Sequence, residues 1–353
     1  MDREKKIVTK QRFSFEDGMK LYDLDLFTLG KLANEKRVAL HQKKTYFNVN
    51  RHINPSNICV DVCKFCSFSA SRKNPNPYTM SIDEVVQIAK EAVARGADEL
   101  HIVSAHNAEV GYNWYLDMFK SIKEELPKVH IKALTAAEID FLSREYKKSY
   151  EEVIDDMIEA GVDSMPGGGA EIFDERIRKK LCKGKVGSND WLKIHKLWHQ
   201  RGKKSNATML FGHIESRQHR IDHMLRLREL QDKTQGFNCF IPLVYQTKNN
   251  FLKVKHPLSA HEILKTIAVS RLILDNIANI KAYWVTSTIN LATVAQEFGA
   301  NDLDGTIEKE SINAAAGAQS ANGISMEEFI SLIKNSGFIP VRRDSLYNEL
   351  KVY

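Results

Sequence analysis

"SIDEVVQIAKEAVARGADELHIVSAHNAE", residues 81–109, reads as one complete unit of an α/β fold. Ser81 and Glu84 make a Ser-x-x-Glu box, in which hydroxyl and carboxylate each satisfy a free backbone N–H at a helix start. Val85, Ile88, Ala89, Ala92 and Val93 recur at helical period and give that helix one apolar stripe to lay on a sheet. Gly96 stops it, Glu99–Ser104 follows as a β-like run, and "SAHNAE" supplies a polar turn.

The same pattern repeats along the chain. Candidate strands are Tyr46–Asn50, Glu99–Ser104, Val129–Leu134, Val162–Met165, Asn206–Phe211, Cys239–Tyr245, Lys281–Thr286 and Asn301–Asp304, each followed by a helical stretch. Further helix starts stand at Ser149/Glu152, Ser259/Glu262 and Ser325/Glu328, and further stops at Gly161, Gly202, Gly299 and Gly337. Eight β-then-α units predict an α/β protein with a parallel sheet closed into a (β/α)8, TIM-like barrel. Residues 1–45, with the helical pattern "FEDGMKLYDLDLFTLGKLANEKR", are expected to form an extra N-terminal helical layer. Residues 46–353 contain no linker or low-complexity break and are expected to form a single barrel unit.

Composition narrows the class. The chain of 353 residues is 43% apolar and 27% charged, ordinary for a globular protein. No apolar stretch approaches a membrane span, and "MDREKKIVTKQRF" has no signal-peptide core, so a soluble, cytoplasmic protein without membrane contact is expected. The formal net charge of +6 is scattered in short groups, which predicts a solvated surface rather than a nucleic-acid face. A mildly basic protein also suits a small carboxylate substrate.

Reading just past each candidate strand tests the barrel, because such barrels place their chemistry on the rim where strands end. Those positions hold Asn57 and three cysteines, then "SAHNAE", "TAAE", "PGGGAE", "GHIE", "IPLVYQ", "TST" and "DLDGT". Glycines and hydrogen-bonding side chains gather where a polar ligand would sit.

Three of the five cysteines, Cys59, Cys63 and Cys66, fall within eight positions of "NICVDVCKFCSF". An odd, clustered set does not read as a disulfide framework. Structural zinc wants four closed ligands, usually in two pairs, and no second pair exists. A ferredoxin-type cluster wants four thiolates. Three thiolates on one loop leave one iron of a [4Fe–4S] cluster open to another ligand.

The spacing Cys59-x3-Cys63-x2-Cys66, with Phe65 before the last cysteine, resembles the radical S-adenosylmethionine (SAM) superfamily. That resemblance implies a [4Fe–4S] cluster held by Cys59, Cys63 and Cys66, with SAM chelating the open iron. It also implies a low-potential one-electron donor such as flavodoxin or ferredoxin. "TMLFGHIE", Thr208 to Glu215, resembles the family's fifth-strand segment near the adenine, with Thr208 and Leu210 replacing its glycine and isoleucine. Ser104-Ala105 stands where the family usually has a Gly-Gly-type turn. The residues the resemblance offers for SAM are Phe65, Ser104, Glu138, Gly168, Gly169, Glu171, Gly212 and Glu215.

From about Phe47 to Tyr347, "INPSNICVDVCKFCSF", "HIKALTAAEI", "PGGGAEIF", "SNATMLFGHIE", "LRELQDKTQGFNCFIPL", "RLILDNIANIKAYW" and "GANDLDGTI" are similar to the aminofutalosine synthase family of the futalosine route to menaquinone. What this implies is addition of the 5′-deoxyadenosyl radical to 3-[(1-carboxyvinyl)oxy]benzoate, rearrangement and loss of bicarbonate, giving methionine and 6-amino-6-deoxyfutalosine. The alternatives are dehypoxanthine futalosine cyclase of the same route, and a non-catalytic iron–sulfur electron carrier. The substrate's carboxylates need cationic or N–H partners, for which His106, Arg178 and His213 are the candidates. Cys182, Cys239, the His219/His223 pair and the aromatic stretches "YNWYLDMF" and "DWLKIHKLW" read as packing.

Overall fold

The structure, a computed structural model, describes residues 12–70, 75–307, 311–318 and 323–353. Its centre is a parallel sheet of seven strands, β2 (Asn50–Ile53), β4 (Glu99–Ile102), β5 (His130–Ala133), β6 (Ser164–Met165), β8 (Lys204–Phe211), β9 (Phe237–Val244) and β10 (Asn279–Ile280), adjacent in that order. The ring continues past β10. Lys281 bridges Asp302 in parallel, and the Asn301 N–H donates to the Ile280 carbonyl at 3.0 Å. β11 (Asp302–Gly305) then pairs in parallel with β1 (Lys44–Asn48), and β1 runs through Val49 into β2. The chain therefore forms the TIM-like barrel that its β/α alternation predicts.

Helices cover the outside. They are α1 (Phe15–Asp23), α2 (Leu26–His41), α3 (Ile82–Ala94), α4 (Tyr112–Glu125), α5 (Ala136–Tyr146), α6 (Tyr150–Glu159), α7 (Glu175–Leu181), α8 (Ser188–Gln200), α9 (Arg217–Thr234) and α10 (Ala260–Ile273), followed by α11 (Trp284–Ser287), α12 (Ile289–Ala295), α13 (Ile312–Ala315) and α14 (Met326–Asn335). The full capping boxes at Ser81/Glu84 and Ser149/Glu152 form as read, and Ser259 and Ser325 accept the N–H groups of Glu262 and Glu328. Gly96, Gly161, Gly202, Gly299 and Gly337 all take positive φ, the left-handed stop that glycine adopts without a Cβ clash. The apolar faces of α4 and α8 bury Tyr115, Phe119, Trp191 and Trp198 against the barrel. In the N-terminal stretch, α2 packs along α10, and Lys265 reaches back to the Tyr22 carbonyl at 2.8 Å.

Several boundaries differ from the sequence reading. The first candidate strand, Tyr46–Asn50, straddles two strands that break at Val49, because β1 pairs with β11 and β12 while β2 pairs with β4. The seventh, Lys281–Thr286, is mostly not strand. β10 ends at Ile280, and Trp284–Ser287 coils into a helical turn whose Trp284 indole donates to the Gly305 carbonyl at 3.0 Å. Four strands, in two pairs, went unread. β12 (Ile339–Arg343) adds in parallel to β1, with β13 (Glu349–Val352) antiparallel beyond it, and β3 (Val62–Cys63) pairs with β7 (Cys182–Lys183).

Candidate active site

A cavity of about 290 Å³ opens at the ends of the barrel strands, lined by Cys59, Cys63 and Cys66 together with residues of β2, β4, β8, β9 and β11. Period-two alternation selects what faces it. From β8, Asn206, Thr208 and Leu210 point in, whereas Ala207, Met209 and Phe211 pack into the surrounding core.

The cysteine loop is tied down at several points. The Val60 N–H donates to the His106 carbonyl at 3.0 Å, Lys64 to Leu181 at 2.7 Å and Cys66 to Cys63 at 3.1 Å. The Ser67 hydroxyl donates to the Asn249 carbonyl at 2.5 Å. All five cysteines are free thiols. Burial pushes the Cys59 thiol up, opposed by the backbone N–H groups of His106 and Asp61 that donate to its sulfur. Cys63 is pushed up first by its hydrogen bond with Cys182 and then by burial, with Lys185 acting the other way.

Two acid–base contacts flank the loop. His106 Nδ1 lies 2.8 Å from Asp61, and the His106 ring stacks on Phe141 with centroids 5.0 Å apart. Burial raises the Asp61 carboxyl, but the hydrogen bond and charge of His106 outweigh it and leave it below the usual range. Lys185 reaches Glu171 at 2.8 Å and sits over the Phe65 ring. Burial opposes ionisation of Glu171 as well, and the Lys185 ammonium holds it low.

The glycine run after β6 forms a wall in close contact with its neighbours. A Cβ on Gly167 would meet the Asn206 carbonyl oxygen at 2.7 Å, and one on Gly169, at φ +87°, would meet the Ala137 Cβ at 2.8 Å. Backbone therefore faces the cavity here without a side chain between. Ser104 stands at the end of β4. Its N–H donates to Glu138 at 2.8 Å, while its hydroxyl is buried without a hydrogen-bond partner. Glu138 also takes the N–H and hydroxyl of Thr135, closing the cap of α5. Burial raises its carboxyl, and those donors oppose the rise.

Of the residues singled out from sequence, Phe65, Ser104, His106, Gly168, Gly169 and Glu171 line the cavity with the three cysteines, and Glu138 lies one hydrogen bond behind. Four do not face it. Gly212 packs on Leu258, and Glu215 is fully enclosed, taking the N–H groups of Gly212 and His213 at 2.6 and 2.9 Å and the Arg220 guanidinium at 2.8 Å. His213 is enclosed beside it, with Nε2 3.0 Å from the Leu210 carbonyl. Arg178 spends its guanidinium on the carbonyls of Gly169, Ala170, Ile172 and Val186, which braces the glycine wall from outside. His223 is buried against Phe173 and hydrogen-bonds the Thr208 carbonyl, so the His219/His223 spacing is packing.

The sequence reading missed His52, Asp61, His101, Lys185 and Asp304, all of which line the cavity. The strand alternation that puts His52 and His101 inward was available. Lys185 and Asp61 come in through loops that only the fold brings together.

Among the described residues no three His, Cys, Asp or Glu side chains gather closely enough to hold a single metal ion. A four-iron cluster spreads its thiolates over separate irons and does not need that convergence. Three free thiols on one pinned loop, an unpartnered Ser104 hydroxyl and a bare glycine wall in the same cavity fit a cluster and a polar cofactor beside it.

Comparison with known proteins gives the same answer. Residues 53–227 match the Radical SAM superfamily model, and residues 234–353 match the CofH/MqnC C-terminal region. The chain is 43% identical to the aminodeoxyfutalosine synthase of Thermus thermophilus, over 99% of this chain and 95% of that one. It is 40% identical to the enzyme of the same name from Streptomyces coelicolor, over 99% and 94%. The cyclic dehypoxanthine futalosine synthase of Streptomyces coelicolor is 34% identical over 97% and 86%. In fold, the chain matches methylornithine synthase with a TM-score of 0.77 at 16% identity, covering 96% of this chain and 97% of that one. The chain belongs to the radical SAM superfamily, whose members use a [4Fe–4S] cluster and SAM, and within it to the family that includes the aminodeoxyfutalosine synthases.

Proposed function

We propose that this enzyme joins the adenosyl part of SAM to 3-[(1-carboxyvinyl)oxy]benzoate, releasing methionine and bicarbonate and giving 6-amino-6-deoxyfutalosine for menaquinone synthesis. The observation that carries the reading is 40–43% identity to two aminodeoxyfutalosine synthases along 99% of the chain, against 34% for the cyclic dehypoxanthine futalosine synthase from one of the same organisms. When bound and reduced, the cluster supplies one electron that splits SAM into methionine and a 5′-deoxyadenosyl radical.

The chain's own residues hold, orient and exclude. Cys59, Cys63 and Cys66 hold the cluster, and the N–H groups donated to the Cys59 sulfur favour its thiolate form. The Ser104 hydroxyl and the backbone of Gly167 to Gly169 receive the polar end of SAM, with Glu138 fixing the Ser104 turn. Phe65 and Leu210 offer apolar surface to the adenine. Ile241, Leu243 and Val244 form an apolar side of the cavity suited to an aromatic ring, and their packing excludes water that would otherwise meet a reactive species. The electron comes from a small low-potential carrier such as flavodoxin or ferredoxin.

An anaerobic reaction with SAM, dithionite and the vinyl ether, read by mass spectrometry, tests the proposal. The account expects a product containing both adenosyl and aryl parts. No such product there, with release of free 5′-deoxyadenosine in a parallel reaction that holds dehypoxanthine futalosine in place of the vinyl ether, would make the chain a cyclase instead.

A further inference from the structure

The cavity floor carries polar groups that the reading above leaves without a task. His52 on β2 and His101 on β4 are register partners on adjacent parallel strands, their ring centroids 4.4 Å apart. Both line the cavity. Both are half-buried. His52 Nε2 is buried without a hydrogen-bond partner, and an unsatisfied buried nitrogen calls for a ligand or water.

The charges around them already cancel. Lys132 pairs with Glu99, and the Ser345 hydroxyl donates to the same carboxylate at 2.5 Å. Lys281 lies 2.9 Å from Asp304, and Arg343 lies 2.6 Å from Asp302. Elsewhere in the cavity lining Lys185 is matched by Glu171. Arg178 and His213, the cations expected from sequence, face elsewhere. Among the described residues, Lys132, Lys185, Lys281 and Arg343 are all matched by carboxylates, so a substrate carboxylate that reaches this floor needs a new partner, and an uncompensated buried charge costs several kcal/mol. Among the described residues, the two imidazoles are bases of the cavity lining that no ion pair engages.

Resting on the substrate reading above, we propose that His52 and His101 together form the recognition site for one carboxylate of the acidic substrate, and that the pair takes up a proton from solvent as that carboxylate binds. The aryl body then lies against Ile241 and Val244, which line the same cavity.

The electrostatics of the unliganded site agree. Burial lowers His52 to about 4, with Lys132 and Lys281 adding to the effect and Asp304 and Glu99 opposing it. Burial also holds His101 well below its ordinary value, helped by His52, Lys132 and Lys281 and opposed by Glu99. Both rings are thus neutral before substrate arrives. A carboxylate within a few ångströms favours the charged form and raises the pair. Binding coupled to proton uptake weakens as pH rises, by up to about tenfold per pH unit while the bound pair stays protonated.

The test is isothermal titration calorimetry on the anaerobic, cluster-loaded full chain with SAM and no reductant. 3-[(1-Carboxyvinyl)oxy]benzoate is titrated at about pH 7.5 in buffers of different ionisation enthalpy. Uptake of about one proton per substrate bound is expected. In His52→Gln and His101→Gln, substrate should bind about 10- to 100-fold more weakly with that uptake lost, while iron–sulfur absorbance persists. Binding without proton uptake in the wild type, or uptake that survives in both variants, overturns the assignment and leaves the substrate reading intact. A wild type that neither binds nor converts this substrate removes the reading, and the assignment with it. Should a variant lose its cluster, the wild-type proton count alone decides.

Discussion

Cys63 and Cys182 stand directly opposite each other where β3 and β7 pair, so a fourth thiol touches the loop that carries Cys59, Cys63 and Cys66. The Lys64 N–H donates to the Leu181 carbonyl at 2.7 Å, which makes the neighbouring Cys63–Cys182 a non-hydrogen-bonded pair. Side chains approach most closely at such positions. The account assigns the cluster to three thiols, so Cys182→Ser should keep a full complement of iron and sulfide. Cys63→Ala should keep the fold, by circular dichroism, and lose the complete cluster and SAM cleavage. Equal iron loss in both variants would make Cys182 a ligand.

The pairing of Lys185 with Glu171 at 2.8 Å sets a second expectation. Both groups are nearly enclosed, so Lys185→Met strands a buried carboxylate and should cost about 3–5 kcal/mol in urea unfolding near neutral pH. Lys185→Met with Glu171→Leu should cost far less, because the pair leaves together. The pH dependence follows from the sign. Glu171 is depressed when folded, so its contribution is present above the ordinary carboxylate range and fades as pH falls toward its folded value. Lys185 is raised, so its share is lost only in strong alkali.

Gly169→Ala should be damaging for two independent reasons. The residue sits at φ +87°, which a side chain rarely adopts, and the new Cβ would lie 2.8 Å from that of Ala137. A loss of about 1–3 kcal/mol is expected from thermal unfolding, with weaker SAM binding in equilibrium dialysis. A variant as stable as wild type would show that the wall yields.

Glu215→Gln should act through stability. The carboxylate is fully enclosed and holds the Gly212–His213 turn to Arg220. Burial opposes its charge, but His213, Arg220 and the turn N–H groups hold it well below the usual range. The substitution should cost about 2–4 kcal/mol near neutral pH, and the difference from wild type should shrink as acid removes the native charge. A pH-independent difference would contradict this.

What the sequence made legible were features set by local rules. Ser81, Ser149, Gly96 and Gly161 announce helix ends because cap geometry involves only neighbouring residues. Cys59, Cys63 and Cys66 stand out because they fall on one contiguous stretch of chain. Lys281–Thr286 misled because an apolar, β-branched run suits a strand and a buried helical turn equally, and the choice rests on Trp284 reaching Gly305. Arg178 looked like a free cation because nothing local reveals that its guanidinium braces carbonyls across the glycine loop. The β12–β13 hairpin was missed because its value lies in pairing with β1, almost three hundred residues earlier.

The most direct test of the central claim is electron paramagnetic resonance of the anaerobically reconstituted, dithionite-reduced protein with and without SAM. The account predicts a reduced [4Fe–4S] signal whose g-values shift when SAM is added, since one iron has no protein sulfur and is free to take the cofactor. A signal indifferent to SAM, or no iron–sulfur signal at all, would contradict it.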